Sequence, residues 1–266
     1  MGLRRFGQRV GALVLALSVA CSAAGCQKLR SLRNGDASAH LPQTAEYQNL
    51  SRDAQSAIDR HDHATALVAL NSLLNLDPRQ AEVHQRLGVV YQAQGKLNEA
   101  ESEYSQALKF DAEYVLAMVG LGQVQTMLGR PTTGLKHIDQ ALELDPGPAE
   151  AQFARGQTLE ALGRTDEALA AYFRTLERNP GSATAMLRIA TIQLARNQPE
   201  QALARLNHAL DLIPEDPEAH HQRGLAYLAL NRPAQAAPDL KFAAQHLPDR
   251  ADIVKQLARA NGGISH

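Results

Sequence analysis

Apolar and polar positions along this chain repeat with a spacing of 34 residues. In the stretch 81–114, AEVHQRLGVVYQAQGKLNEAESEYSQALKFDAEY, position 8 is Gly88, and steps of 34 reach Ala54, Gly122, Gly156, Ala190 and Gly224, all small. Position 20 is small as well: Ala66, Ala100, Gly134, Ala168, Ala202 and Ala236. Position 24 is large: Leu70, Tyr104, Ile138, Tyr172, Leu206 and Leu240. Position 28 reads Leu74, Leu108, Leu142, Leu176, Leu210 and Ala244. Six units therefore tile residues 47–250 without an insertion: 47–80, 81–114, 115–148, 149–182, 183–216 and 217–250.

Within a unit, positions 4, 7, 8 and 11 fall at i, i+3, i+4 and i+7, which is one face of an α-helix. Positions 20, 24, 27 and 28 mark the face of a second helix. Position 15 separates the two and reads His61, Gly95, Gly129, Gly163, Asn197 and Asn231. Gly and Asn tolerate the left-handed backbone that ends a helix, so five units carry a stop there. Pro131, Pro199 and Pro233 at position 17 suit a first helical turn. Position 32 is Pro78, Pro146, Pro180, Pro214 and Pro248, with Ala112 the one exception. Proline cannot continue the hydrogen-bond ladder, and Asp77, Asp145 and Asn179 just before it are turn residues. Each unit reads as a helical hairpin. One hairpin cannot bury its own apolar face, whereas stacked neighbours can.

This pattern, small at 8 and 20, aromatic or aliphatic at 24 and proline at 32, resembles the tetratricopeptide repeat family. The resemblance covers 204 of 266 residues. It implies an all-α fold, a right-handed α-solenoid of six helix-turn-helix repeats followed by a capping helix. Departures are visible. Where the family usually has Trp at position 4, this chain has Leu50, His84, Met118, Gln152, Met186 and His220, and position 7 carries Asp53, Arg155 and Arg223. The pattern is weakest in the first and sixth units.

The ends do not share the period. Arg4, Arg5 and Arg9 precede an apolar run of ten, residues 11–20, and small residues lead to Cys26. That is the layout of a secretory signal peptide, too short to span a bilayer of about 30 Å. An ordinary cleaved signal with Ser22, Ala23 and Ala24 at its site is one reading. The other is carried by Ala23-Ala24-Gly25-Cys26, which resembles the bacterial lipobox, with residues 1–25 removed and Cys26 lipidated. The resemblance implies a membrane tie through the N-terminal lipid and, with the non-acidic Gln27 next, an outer-membrane location facing the periplasm. Residues 26–46 then hold the lipid anchor and a flexible tether, whose twenty free residues reach roughly 25 Å. Its Lys28, Arg30 and Arg33 either touch anionic headgroups or are simply solvated. Residues 251–266 form a capping helix and tail.

Composition narrows the chemistry. Both cysteines, Cys21 and Cys26, lie in the leader, so the repeats have no thiol nucleophile and no internal disulfide. Without residues 1–25 the chain carries 24 basic and 28 acidic side chains, and no basic cluster with interleaved aromatics, so nucleic acid is excluded as a partner. Gly120-Leu121-Gly122 lacks the third glycine of a dinucleotide loop, and Gln94-Gly95-Lys96 lacks the upstream glycine of a phosphate loop. Neither G-x-S-x-G nor H-E-x-x-H occurs. The histidines, including His61, His63, His220 and His221, are spread over different units rather than gathered as the three or four ligands that zinc needs. No cofactor, no metal and no enzymatic activity are expected.

On the first helix of each unit, positions 2, 5, 9 and 12 point away from the intra-unit packing, their mean direction about 130° from the apolar face. In the tetratricopeptide repeat family that set lines a concave groove, and the resemblance implies a protein or peptide ligand there. The candidate lining is Gln85, Val89, Gln92, Val119, Gln123, Phe153, Gln157, Glu160, Leu187, Thr191, His221 and Leu225. Val119, Phe153 and Leu187 form an apolar stripe edged by amides, suited to an extended peptide or an amphipathic helix, unless they pack against the following helix instead. The family's carboxylate clamp is missing, since position 5 has no Lys and position 9 no Asn. The reading is a lipid-anchored scaffold for protein partners in the bacterial envelope, serving a pilus, secretion or peptidoglycan complex. The alternative is an envelope enzyme or small-ligand sensor that uses histidines and acids of the groove. The partner's identity and the oligomeric state stay open.

Overall fold

A computed structural model describes residues 44–262. The leader, Cys26, almost all of the tether and the last four residues lie outside the described residues. Those described are all-α: α1 Ala45–Asp59, α2 His63–Leu76, α3 Ala81–Ala93, α4 Leu97–Phe110, α5 Val115–Met127, α6 Pro131–Leu144, α7 Ala149–Ala161, α8 Thr165–Arg178, α9 Ala183–Ala195, α10 Pro199–Leu212, α11 Pro217–Ala229, α12 Pro233–His246 and α13 Ala251–Gly262. The chain divides into two units, Met1–Gln80 and Ala81–His266. The first contributes the hairpin α1–α2. The second holds five further hairpins and α13. None of the described helices is long and apolar enough to cross a membrane.

The turn inside every hairpin is closed by the same local chemistry. Position 15 has positive φ in all six units: His61 57°, Gly95 72°, Gly129 78°, Gly163 71°, Asn197 56° and Asn231 54°. The N–H of position 15 bonds three residues back and that of position 16 five residues back, as in Gly95 N to Gln92 O (3.0 Å) and Lys96 N to Tyr91 O (2.9 Å). This pair of bonds is the Schellman closure. His61 makes it too, although histidine is not a residue from which such a stop is read.

The second helices end at position 30, just before the turn residues expected there, and Asp111 joins them. Asp77, Asp111, Asp145 and Asn179 each accept the backbone N–H two residues on, at 2.8 to 3.1 Å. Asp111 makes this turn without a following proline, so Ala112 is no gap in the pattern. The start of α1 differs, falling inside the stretch expected as tether. The Thr44 hydroxyl accepts the Tyr47 N–H at 3.2 Å and so starts the helix at Ala45.

In the second unit, each first helix is buried on two sides rather than one. Positions 3 and 10, two turns apart, are buried beside the expected positions: Val83 and Val90, Ala117 and Val124, Ala151 and Thr158, Ala185 and Ile192, Ala219 and Ala226. In α5, α11 and α13 these positions seat on the second helix of the preceding hairpin: Ala117, Leu121 and Val124 of α5 cluster with Ala100, Tyr104 and Ala107 of α4. Likewise Ala219 and Ala226 of α11 pack with Ala202, Leu206 and Leu210 of α10, and Ile253 and Ala260 of α13 with Ala236, Leu240 and Ala243 of α12. Removing such buried apolar surface from water is what joins one hairpin to the next.

Within a hairpin, the small residues let helices approach. A Cβ on Gly122 would lie 2.6 Å from the Gly134 carbonyl oxygen, and one on Gly156 would lie 2.5 Å from Cε1 of Tyr172. The arginines at position 7 are accommodated by ion pairs. Arg155 Nε donates to Asp139 Oδ1 of the preceding hairpin at 2.7 Å. Arg223 Nε and Nη2 grip both oxygens of the buried Asp239 at 2.7 and 2.8 Å.

Candidate functional site

The wall that would meet a partner is built by the first helices of the second unit, where α3 touches α5, α5 touches α7, and α9 touches α11. Their positions 2, 5, 9, 12 and 13 project from it, and the candidate residues divide by burial. Val119 is buried at 7% exposure among Met118, Ile138, Ala141 and the Ala151 and Ala154 of α7. His221 is buried at 2%, with Nε2 2.8 Å from Gln256 Oε1 and Nδ1 3.4 Å from Glu218 Oε1. Placed among the groove residues by the sequence, both are instead taken up by the next first helix, Val119 by Ala151 and Ala154 of α7, the packing alternative left open for it, and His221 by Gln256 of α13. They are not available to a ligand.

The other candidates keep part of their surface. Val89 and Gln157 are exposed, and Gln85, Gln92, Gln123, Phe153, Glu160, Leu187, Thr191 and Leu225 are half-buried. Phe153, half-buried, rests its ring on Tyr172, centroids 5.4 Å apart, and packs against the cluster that includes Ile189 and Ile192 of α9, while part of its surface remains accessible. Gln85, Gln123 and Gln157 make no side-chain hydrogen bond within the described protein, so their amides are free to pair with another chain. Leu116 and Met127 of α5 are apolar and 49% and 56% exposed, with Met127 Sδ 3.8 Å from Gln92 Nε2. Helical geometry puts position 2, and so Leu116, on this wall, whereas Met127 at position 13 lies outside the set of positions 2, 5, 9 and 12.

Position 12 has a second role. Gln92 Oε1 accepts from the Tyr104 hydroxyl at 3.0 Å, and Glu160 accepts from the Tyr172 hydroxyl, each tyrosine lying on the second helix of the same hairpin. Glu160 also takes Arg188 of the next hairpin, with Nη2 2.6 Å and Nε 2.9 Å from Oε2. Burial pushes the Tyr104 phenol well up, and burial followed by the neighbouring Glu160 does the same for Tyr172, so both remain neutral donors at any ordinary pH. Glu160 is thus a brace of the wall, its Oε2 taking all three of these bonds.

At the far end of the wall the hydrogen bonds from His221 and Gln222, with the charge of Arg250, hold the Glu218 carboxyl down at about 2. No three His, Cys, Asp or Glu side chains converge as a metal site among the described residues. What the arrangement offers is contact: an apolar stripe, unpaired amides and a rigid frame.

Fold and wall together define a helical-hairpin repeat protein. Two family models, each described as a tetratricopeptide repeat, match residues 57–121 with 159–223, and residues 119–183. The chain belongs to the tetratricopeptide repeat family, whose members are generally non-enzymatic scaffolds that bind proteins or peptides. No curated protein matches the sequence. Among solved structures the chain is similar to pilF of Pseudomonas aeruginosa, at 16% identity and TM-score 0.70 over 80% of this chain and 97% of that one. It is similar to PilW, a widely conserved type IV pilus biogenesis factor, at 19% identity and TM-score 0.66 over 81% and 98%. YrrB, a repeat protein with an unusual peptide-binding site, matches at 18% identity and TM-score 0.52 over 70% and 96%. At these identities the likeness is one of fold.

Proposed function

We propose that this protein is a lipid-anchored scaffold of the bacterial cell envelope that holds a segment of a partner protein against its first-helix wall, in assembly or regulation of a larger envelope complex. The observation that carries the reading is the run of Leu116, Phe153 and Leu187, partly open to solvent and edged by the free amides of Gln123 and Gln157. An apolar side chain of the partner would rest on the stripe while its backbone pairs with the amides. Likeness in fold to pilF and to PilW, the latter a pilus biogenesis factor, supports a pilus-related complex among the envelope machines. Support for the anchor lies in the basic start, apolar run and Ala23-Ala24-Gly25-Cys26 of the leader. Multiple acyl chains on Cys26 would bind a bilayer stably, gaining about 0.8 kcal/mol per buried CH₂.

Capture of cross-linked partners from solubilised envelopes tests the wall. Phe153→Ala with Leu187→Ala should abolish recovery of the partner while helical circular dichroism stays near wild type, and the surface pair Gln123→Ala and Gln157→Ala should weaken it without touching the core. Undiminished recovery from both variants would move the site elsewhere. For the anchor, Cys26→Ser should release the protein from membranes, and retention would refute lipidation at that residue.

A further inference from the structure

The fifth hairpin of the chain, α9–α10, carries a cavity of about 400 Å³ lined by Met186, Gln201, Ala204, Arg205 and His208. Gln201, Ala204, Arg205 and His208 sit at i, i+3, i+4 and i+7 of α10, so they share one face of that helix. This is the second-helix side of the hairpin, and none of the five residues belongs to the wall described above.

Arg205 is what makes the cavity more than a gap in the packing. Its guanidinium carbon lies 4.9 Å from the centroid of the Phe173 ring, stacked on the preceding hairpin, and its Nε–H is buried with no acceptor. Other partly buried arginines of the second unit have a carboxylate: Arg155 has Asp139, Arg188 has Glu160 and Arg223 has Asp239. Arg205 has none, and desolvation alone acts on it, lowering its pKa with no acid near enough to raise it again. A partly buried cation without a counter-ion is costly, and an aromatic face compensates it only in part. The rest of the polar lining is also rich in donors. Gln201 has its oxygen taken by Gln193 Nε2 at 3.0 Å in the assigned amide orientation, which leaves its NH₂ without an acceptor among the described residues, and His208 is exposed. Met186 and Ala204 supply an apolar side.

We propose that this cavity binds an acidic side chain of a partner polypeptide, with the carboxylate taken by Arg205 and the apolar residue next to it resting on Met186 and Ala204. The planar fork of arginine matches a carboxylate in two parallel hydrogen bonds while its face stays on Phe173. The site is independent of the first-helix wall, so a partner could engage both faces or each face a different partner.

The test uses the full-length protein in non-ionic detergent and three probes: N-acetyl-Leu-Glu-Leu-amide, its Leu-Gln-Leu counterpart, and N-acetyl-Leu-Gln-Leu with a free terminal carboxyl. Titrations followed by the Arg205 Nε–H resonance in ¹⁵N-labelled protein should show the glutamate peptide binding about ten-fold tighter than the neutral one. Arg205→Gln should remove that preference, and Arg205→Lys should retain only part of it. Because Arg205 has no acidic partner to orphan, Arg205→Gln should melt at or above the wild-type temperature, which separates loss of binding from loss of fold. Equal binding of glutamate and glutamine peptides, an unmoved Arg205 resonance, or a preference confined to the free terminal carboxyl would each overturn the proposal. Altered capture by the Phe153 and Leu187 variants leaves it unaffected, so the two sites fail separately.

Discussion

Tyr104 fills with its ring the space that a side chain on Gly120 would need: a Cβ there would meet Tyr104 Cε1 at 2.5 Å, and a Cβ on Gly88 would meet the same atom at 2.7 Å. One tyrosine therefore lies between two first helices, α3 of its own hairpin and α5 of the next. Gly120→Ala should overpack this junction and cost about 1–3 kcal/mol in denaturant unfolding. Tyr104→Leu in the same chain should recover much of the loss, since the two residues share one volume and their effects are not additive. Tyr104→Phe, which only drops the bond to Gln92, should cost about 1 kcal/mol.

Asp239 is buried, and Arg223 and His220 are its only hydrogen-bond partners among the described residues, His220 Nδ1 lying 2.7 Å from Oδ1. Arg223→Ala would leave that carboxylate half-compensated inside α11–α12. We expect a loss of about 3–5 kcal/mol, localised by faster amide exchange in α12 and α13. Replacing both members of the pair, Arg223→Met with Asp239→Leu, should cost much less, because no charge is then stranded.

The left-handed residue at position 15 makes opposite predictions in two hairpins. His61, at φ 57°, bears a conformation that glycine adopts freely, so His61→Gly should stabilise α1–α2 by about 1 kcal/mol. Gly129 sits at φ 78° with open space around its Cα, so Gly129→Ala should cost about the same by backbone strain alone, without any clash. Thermal melts of the two variants should move in opposite directions.

Glu218 links stability to acid. Its folded pKa of about 2 lies below the usual glutamate value, so its contribution is complete above pH ~4.5 and is lost as pH falls from there towards 2. Glu218→Gln should lower the melting temperature at pH 6 and narrow the gap to wild type at pH 3. A gap that is the same at both pH values would show that the carboxylate is not favoured by folding.

The hairpins were legible because their signals are local. A left-handed turn needs only the residue at position 15 and the two hydrogen bonds it closes, and a close helix crossing needs only small side chains at positions 8 and 20. His61 escaped because its chemistry does not advertise the turn that the surrounding helices impose on it. Positions 3 and 10 escaped for another reason: Ala117, Ala151 and Ala185 are small enough to pass as neutral surface, and only the facing second helix makes them core. The same docking hides Val119 and His221 while leaving Leu116 and Met127 in the open.

Periodicity in the chain was enough to establish the number of residues per hairpin, where each helix stops, and which face closes each hairpin upon itself, because those depend on backbone preferences and on neighbours a few residues away. Which side chains of the outer faces stay exposed, and that Arg205 comes to rest on Phe173 with no acid beside it, depended on how hairpins 34 residues apart fit together. Burial and counter-charge are properties of that fit, and no single repeat contains them.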